Sequence, residues 1–490
     1  MQHQEKKMNN KINLYQIFRQ TAERQPEHPA YIGPGDDDIC SYRQLQERID
    51  ASAEKLKSSG LQKGTCVGLH YRTSLEYIVM AYAIWSCGAI VVPIAIELVP
   101  EEKRKICEDI SLQSVICNVN AINIFKSFAE GEAKDLGENI VYNPIKSLRE
   151  HPPGISDINT AFIRFTSGTT SASKGVILSH ESVYERITAA NGGLHIGRSD
   201  TILWLLSMSY HFTVSIVSYL SFGATIVVCR DHFGSTIIRT AARHKATFIY
   251  GSPVHYNSMA QNSGSQMLPD VRLAISTATQ LRGDIADAFF KRFGIPLNEA
   301  YGIIEVGLPC INIDKPFEKR GSVGRTLPAY QLRLHDIGLG PGLKSIKVRG
   351  KGFLDAYYDP WQTRKDIMPD GWFATGDLGK LDGEGYLYIL GRSKEMISVA
   401  GMKFFPQETE VVLESHPCVK EAYVFPSASE RFGEVPNAHV VLEEGLKETP
   451  SSSELRGYCK QHLTYYKIPE VIEYVDALPR TASGKLIRQK

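Results

Sequence analysis

A chain of 490 residues is too long for one ordinary hydrophobic core, so at least two domains are expected. Apolar residues at 43% and charged residues at 22% describe a soluble globular protein, and a formal net charge of +1 argues against broad electrostatic binding to nucleic acid. The nine cysteines form no Cys-x-x-Cys pair and no Cys/His cluster; this pattern offers no zinc site and reads as reduced, mostly buried thiols in a cytoplasmic protein.

The first ten residues lack the apolar run of a signal peptide. Leu14 to Arg24 has helical apolar spacing, and Ala30 to Ile32 opens a strand. Ser41 sits where it can cap a helix running from Tyr42 to about Ser58. Strand Val67–His70, helix Ser74–Cys87, strand Ala89–Pro93, helix Glu101–Ser111 and strand Ser114–Cys117 follow. Tyr77 to Ile96 and Thr201 to Cys229 contain no Asp, Glu, Lys or Arg. Gly88 and Pro93 interrupt the first, while Ser, Thr, Tyr and His211 fill the second, so both are read as buried helix-and-strand pairs and no membrane span is expected.

Residues 165 to 175, Phe-Thr-Ser-Gly-Thr-Thr-Ser-Ala-Ser-Lys-Gly, lie between an apolar strand, Ala161 to Phe165, and the short apolar run Val176 to His180. Gly168 and Gly175 allow close backbone approach, and the hydroxyls of Thr166, Ser167, Thr169, Thr170 and Ser171 with exposed N–H groups can donate to phosphate oxygens. Lys174 adds a point charge suited to phosphate. A Ser/Thr-rich surface loop has the same composition, and the Walker pattern is excluded because Lys174 precedes a glycine and a strand rather than opening a helix.

The alternation then continues: helix 182–191, strand 201–206, helix 214–221, strand 224–228, helix 234–244, strand 248–251, helix 253–260, strand 274–276, helix 282–293 and strand 297–300. This rhythm implies an α/β fold of parallel sheets covered by helices. From about residue 322 short glycine-punctuated strands such as 331–335 and 345–349 suggest a small antiparallel β-subdomain ending near 390. The expected division is a large N-terminal domain over 1–391, with the β-subdomain at about 322–390, and a small mobile α+β domain over 392–490. The latter is read as helix 406–415, strands 419–425 and 438–442, and helix 453–463.

Five segments in this order give the chain a resemblance to the adenylate-forming superfamily, which includes acyl- and aryl-CoA synthetases, peptide-synthetase adenylation domains and luciferases. The loop at 166–175 resembles the family's Thr-Ser-Gly-Thr-Thr-Gly-x-Pro-Lys-Gly, with Ser171 and Ser173 in place of Gly and Pro. Tyr301-Gly302-Ile303-Ile304-Glu305 resembles Tyr-Gly-x-Thr-Glu, with Ile304 replacing the Thr that contacts the α-phosphate. Thr375-Gly376-Asp377, the run Gly391-Arg392-Ser393-Lys394, and Pro479-Arg480-Thr481-Ala482-Ser483-Gly484-Lys485 complete the set.

The resemblance implies ATP and Mg²⁺ as cofactors, and roles follow motif by motif. Ser276, Thr277 and Ala278 would lie against adenine and Tyr301 would stack on it, with Gly302 beside it. Glu305 would help hold Mg²⁺ between phosphates, Asp377 would accept from both ribose hydroxyls, and Arg392 would reach the ribose or phosphate. Lys394 occupies the hinge position, Gly401 and Lys403 lie on the pantetheine path, and Lys485 would bridge the substrate carboxylate and the α-phosphate. The implied reaction is acid activation to acyl-AMP, then transfer to a thiol of coenzyme A or of a phosphopantetheine arm on a separate carrier protein, since no carrier domain follows Lys490.

Thr201 to Cys229 lacks any acidic residue to pair with an α-ammonium group, so the expected substrate is an aryl or short-to-medium acyl acid without an α-amino group. Tyr210-His211-Phe212 resembles the aromatic/His element of acyl- and aryl-CoA synthetases, with His211 orienting the carboxylate; a satisfied core histidine is the other reading. Tyr210, Ser215, Tyr250, Ser252, Val254, Tyr301 and Leu308 are the expected pocket walls. Two other readings stand beside this one: a stand-alone amino-acid activator with a different acidic partner, and a catalytically degenerate relative, for which Ser171, Ser173 and Ile304 speak.

Overall fold

The computed structural model describes residues 12–35, 38–165, 174–277, 279–338, 343–446, 448–480 and 486–488. Their contacts divide them into two units. Residues up to 165, 174–331 and 349–372 belong to the first; 332–348 and those from 373 belong to the second.

The helices of the first unit form where sequence spacing and caps agree. In helix Tyr42–Ser58 the buried residues are Tyr42, Leu45, Ile49, Ala53 and Leu56, one apolar stripe. Ser41 Oγ accepts from the Gln44 amide at 3.2 Å, and Gln44 Oε1 accepts from the Ser41 amide at 2.9 Å, a reciprocal cap that contributes about 1 kcal/mol. Helix Leu75–Ser86 is buried on every side from Tyr77 to Trp85 because it is packed against helices Leu14–Arg24 and Tyr42–Ser58 and strand Ile90–Pro93. That burial accounts for the lack of charge after Glu76, and among the described residues no helix is long and apolar enough to cross a membrane.

Two nine-stranded sheets form the unit. One has parallel strands Asn298–Ile303, Leu273–Ser276, Phe248–Gly251, Thr201–Trp204, Thr225–Val228 and Pro29–Ile32 in that order, with antiparallel edges. The other runs Ala356–Tyr357, Gly175–Ser179, Thr160–Phe165, Ile90–Pro93, Cys66–His70 and Ser114–Asn118 through its centre. Each sheet is backed by a dry core, around Leu203, Ile249, Ala274 and Phe289 in the first and Val115, Ile163, Ile177 and Tyr358 in the second. Seven cysteines are buried and Cys87 and Cys418 are half-buried.

The structure differs from the sequence reading in places. The strand expected to reach 206 ends at Trp204 and a short helix, Met208–His211, follows, with the Tyr210 carbonyl accepting from Arg164. Residues 119–144 hold a long 3-10 run, Val119–Phe128, and a hairpin, Lys134–Gly137 with Ile140–Pro144. The strand expected to stop near 390 runs Leu387–Arg392.

The second unit contains most of a four-stranded sheet of Tyr330–Asp336, Lys344–Gly350, Phe373–Leu381 and Leu387–Arg392, followed by a five-stranded sheet built on the long hairpin Val419–Ser429/Gly433–Leu442. Helices Pro406–Glu414 and Ser452–His462 pack on the hairpin's side of a core formed by Phe404, Leu413, Val424, Val440 and Leu455.

Candidate active site

The loop singled out in the sequence joins adjacent antiparallel strands, with Phe165 paired to Gly175. Thr166, Ser167, Gly168, Thr169, Thr170, Ser171 and Ser173 lie outside the described residues, as do Ala278 and Lys485. What flanks the loop is ordered by the sheet. A Cβ on Gly175 would sit 2.8 Å from Tyr358 Cβ, so the strand beyond Lys174 starts where only glycine fits.

Strand alternation turns Ile163, Gly175 and Tyr358 to the core face and Arg164, Val176 and Tyr357 to the other. Arg164 is opposite Val176, and Val176 is opposite Tyr357, so these three form a row across three strands. Lys174 Nζ stands 4.5 Å above the Tyr357 ring, a cation–π contact, and the Tyr357 hydroxyl donates to Glu305 Oε1 at 3.4 Å. Burial, with the Glu305 carboxylate beside it, pushes the Tyr357 phenol well above its ordinary range.

Glu305 is positioned through its backbone. Its carbonyl accepts from the Leu354 amide at 2.7 Å. The preceding carbonyl, of Ile304, accepts from Arg186 Nη1 at 2.9 Å, while Arg186 Nε and Nη2 donate to the Gly352 carbonyl at 2.8 and 2.6 Å. Arg186 is 1% exposed, and burial pulls its guanidinium down to about 10. Gly302 lies in the same hairpin, where a Cβ would come 2.5 Å from the Gly307 carbonyl oxygen. Tyr301 is buried opposite Cys310, and Leu308 is half-buried.

Around His211 the residues are aromatic. Trp204 and Tyr250 stack at 5.3 Å and 6°, and the His211 ring meets both edge-on at 6.1 and 6.0 Å. Thr277 hydrogen-bonds the Tyr250 phenol, and its amide donates to the Gly251 carbonyl at 3.0 Å. Ser276 Oγ is buried without a partner among the described residues. Ser215 Oγ donates to the His211 carbonyl at 2.5 Å, so it fixes the turn after the short helix. Ser252 is engaged with His255 Nδ1 at 2.9 Å at the head of helix Pro253–Ala260. Val254 is 74% exposed, apart from the ring cluster.

The second unit carries the remaining candidates. Asp377 is 4% exposed; its Oδ1 accepts from Arg392 Nε at 2.9 Å and its amide donates to Thr375 Oγ1 at 3.1 Å. The two residues are directly paired across strands Phe373–Leu381 and Leu387–Arg392. Lys394 is exposed in the short turn Ser393–Glu395. Gly401, at φ +84°, forms the tip of the hairpin Ile397–Val399/Met402–Phe404, with Lys403 exposed beyond it. The flanks of 481–485 meet, since Arg480 bridges Leu486 and the Ile487 amide donates to the Pro479 carbonyl at 2.8 Å. Arg488 anchors this end bidentately on Glu410 at 2.8 and 2.8 Å.

Sequence reasoning missed Arg164, Arg186, Tyr357 and the Glu410–Arg488 pair. It also missed Glu299, whose carboxyl is pushed up to about 7 by burial while accepting from the Gly321 amide at 2.7 Å.

A family model described as AMP-binding enzyme matches residues 18–357, and one described as AMP-binding enzyme C-terminal domain matches 408–485. The long-chain-fatty-acid–CoA ligase of Yersinia pestis is 27% identical over 536 residues, covering 98% of this chain and 93% of that protein. The 2-succinylbenzoate–CoA ligase of Bacillus licheniformis is 28% identical over 490 residues, with 96% and 98% covered. The structure of o-succinylbenzoate CoA synthetase from Bacillus subtilis with its acyl-adenylate intermediate superposes at a TM-score of 0.84, 25% identity and 98% coverage of each chain.

Proposed function

This chain belongs to the AMP-binding enzyme family, an acid–thiol ligase by that membership, and we propose that it converts an aryl or short-to-medium acyl acid without an α-amino group into a thioester by way of acyl-AMP. The observation that carries the reading is the Lys174–Tyr357–Glu305 cluster at the end of the loop, where Glu305 meets Tyr357 from the turn after strand Asn298–Ile303. A cation for phosphate oxygens and a carboxylate for a metal stand there on one phenol.

In the first step a carboxylate oxygen of the acid attacks the α-phosphorus of ATP, the α–β bridging P–O bond breaks, and pyrophosphate leaves. Lys174 and Lys485 offset the charge, an electrostatic contribution. Among the described residues no group of three His, Cys, Asp or Glu side chains gathers as a closed metal site. A single carboxylate, Glu305, fits Mg²⁺, which takes one or two carboxylates and completes its shell with phosphates and water. Bound there, the ion would supply charge neutralisation between phosphates. Thr166, Ser167, Gly168, Thr169 and Thr170 would cradle phosphates; Ser276, Thr277, Ala278, Tyr301 and Gly302 would receive adenine; Asp377 and Arg392 the ribose.

In the second step a thiolate attacks the acyl carbonyl and AMP leaves, with coenzyme A or a carrier-bound phosphopantetheine as the thiol. Rotation of residues 392–490 about Lys394 would exchange Lys485 for the Gly401 and Lys403 face. His211 would orient the acid, walled by Tyr210, Ser215, Tyr250, Ser252 and Leu308. The stacked Trp204 and Tyr250 rings beside it favour a flat or slender acid.

ATP–pyrophosphate exchange against aryl acids, fatty acids and α- and β-amino acids tests this. Response to aryl or acyl acids alone is the expected outcome, and silence across the panel would overturn the reading. A second reading, an amino-acid activator, is favoured by one feature: burial first, and then the charge of Glu97, push the Tyr210 phenol up, so an acidic side chain acts on this element. Exchange with amino acids but not their deaminated analogues would establish it.

A further inference from the structure

Arg164 is the third member of the row that contains Val176 and Tyr357, and it is on the face opposite the core. Its Nη1 donates to the Tyr210 carbonyl and its Cζ lies 5.1 Å from the Tyr210 ring centroid, so the guanidinium is tied to the residue preceding His211. The Tyr210 phenol, the Glu305 carboxylate and the Tyr77 phenol act on it electrostatically. Nε is buried without a hydrogen-bond partner among the described residues. A buried guanidinium N–H left unmade is costly, and the planar fork is shaped to give paired donors to carboxylate or phosphate oxygens.

The position is therefore specific. One N–H of the fork is bonded to the residue before His211, where the acid would lie, and the group shares a sheet face with Lys174 and with Tyr357, which meets Glu305, where the phosphates would lie. We propose that Arg164 binds an oxyanion where acid and nucleotide meet, either the carboxylate of the acid or the α-phosphate. The assignment rests on the acid-activating reading above and adds to it a side chain that no motif marks. Methionine or another neutral side chain would fill the same space; only a cation answers the chemistry.

The test uses the whole chain with Arg164→Met and Arg164→Lys. Calorimetric affinities are measured for AMP against adenosine, and, with AMP bound, for benzoate and octanoate against benzamide and octanamide. Loss of a charge-assisted hydrogen bond is expected to weaken one oxyanion by about tenfold or more in R164M, with R164K, which keeps the charge and loses the fork, falling between that variant and the unaltered protein. The uncharged counterparts should stay within about twofold, which a merely structural defect would not allow. An effect on AMP alone assigns the α-phosphate, and on the acids alone the carboxylate. Unchanged oxyanion affinity in R164M, equal loss of the uncharged ligands, or no oxyanion binding by the unaltered protein overturns the proposal. If exchange is silent while AMP affinity still depends on Arg164, the acid-activating reading fails and the oxyanion site stands.

Discussion

Tyr357 donates to Glu305 at 3.4 Å while its ring carries the Lys174 ammonium at 4.5 Å, so one side chain holds the spacing between a cation and a carboxylate. Tyr357→Phe keeps the ring and removes the donor. Losing one such hydrogen bond, about 1 kcal/mol, should raise KM for MgATP about fivefold in the exchange assay and leave KM for the acid unchanged. Tyr357→Ala removes both contacts and should cost more; equal behaviour of the two variants would show that the ring contact with Lys174 contributes nothing.

Gly352 has φ +71°, and a Cβ there would lie 2.4 Å from the Arg186 amide nitrogen. Gly352→Ala therefore combines backbone strain with a clash against a backbone atom that cannot swing aside. Denaturant unfolding should register a loss of roughly 2–4 kcal/mol, and exchange activity should fall with it because Arg186 also holds the Ile304 carbonyl.

Asp377 is the buried partner of a more exposed Arg392. Asp377→Asn keeps the shape and removes the anionic acceptor. The kcat/KM for ATP should drop roughly 10- to 100-fold, the equivalent of a charged hydrogen bond, with KM for the acid unmoved. A matching loss for 2′-deoxy-ATP with the unaltered protein would tie the effect to the ribose.

Glu299 gives a pH signature. Its carboxyl is pushed up from 4.5 to about 7 in the folded chain, so at pH values below 4.5 both states are protonated and it contributes no difference. Between about 4.5 and 7 the unfolded chain ionises while the folded chain stays neutral, and stability is lost as pH rises. Glu299→Gln keeps an acceptor for the Gly321 amide and cannot ionise. The variant should gain on the unaltered protein across that window, by roughly 3 kcal/mol at most by pH 8, in denaturant unfolding at a series of pH values.

Elements built from local spacing were legible in the sequence: Ser41 with Gln44 marks a helix start, and Phe248–Gly251 and Pro253–Ala260 follow their own turn and cap residues. Residues 134–144 were not, because the hairpin turns on left-handed Glu138 and Asn139 rather than an Asn-Gly pair. Motif residues such as Lys174, Glu305 and Asp377 are recognisable by their neighbours in the chain. Tyr357, Arg186 and Arg164 are not, since each acquires its meaning from a partner 46 to 166 residues away, as with Arg164 and Tyr210 or Arg186 and Gly352. Strand register brings such pairs together, and no local pattern announces it.

The Trp204–Tyr250 stack beside His211 also makes the chain an optical instrument. An indole packed within 6.1 Å of an imidazole changes emission when that ring gains a proton or a neighbour. The chain has four tryptophans, so replacing Trp85, Trp361 and Trp372 with phenylalanine would leave a single fluorophore reporting on arrivals at His211. Ligand entry could then be followed in real time without label, radioisotope or turnover.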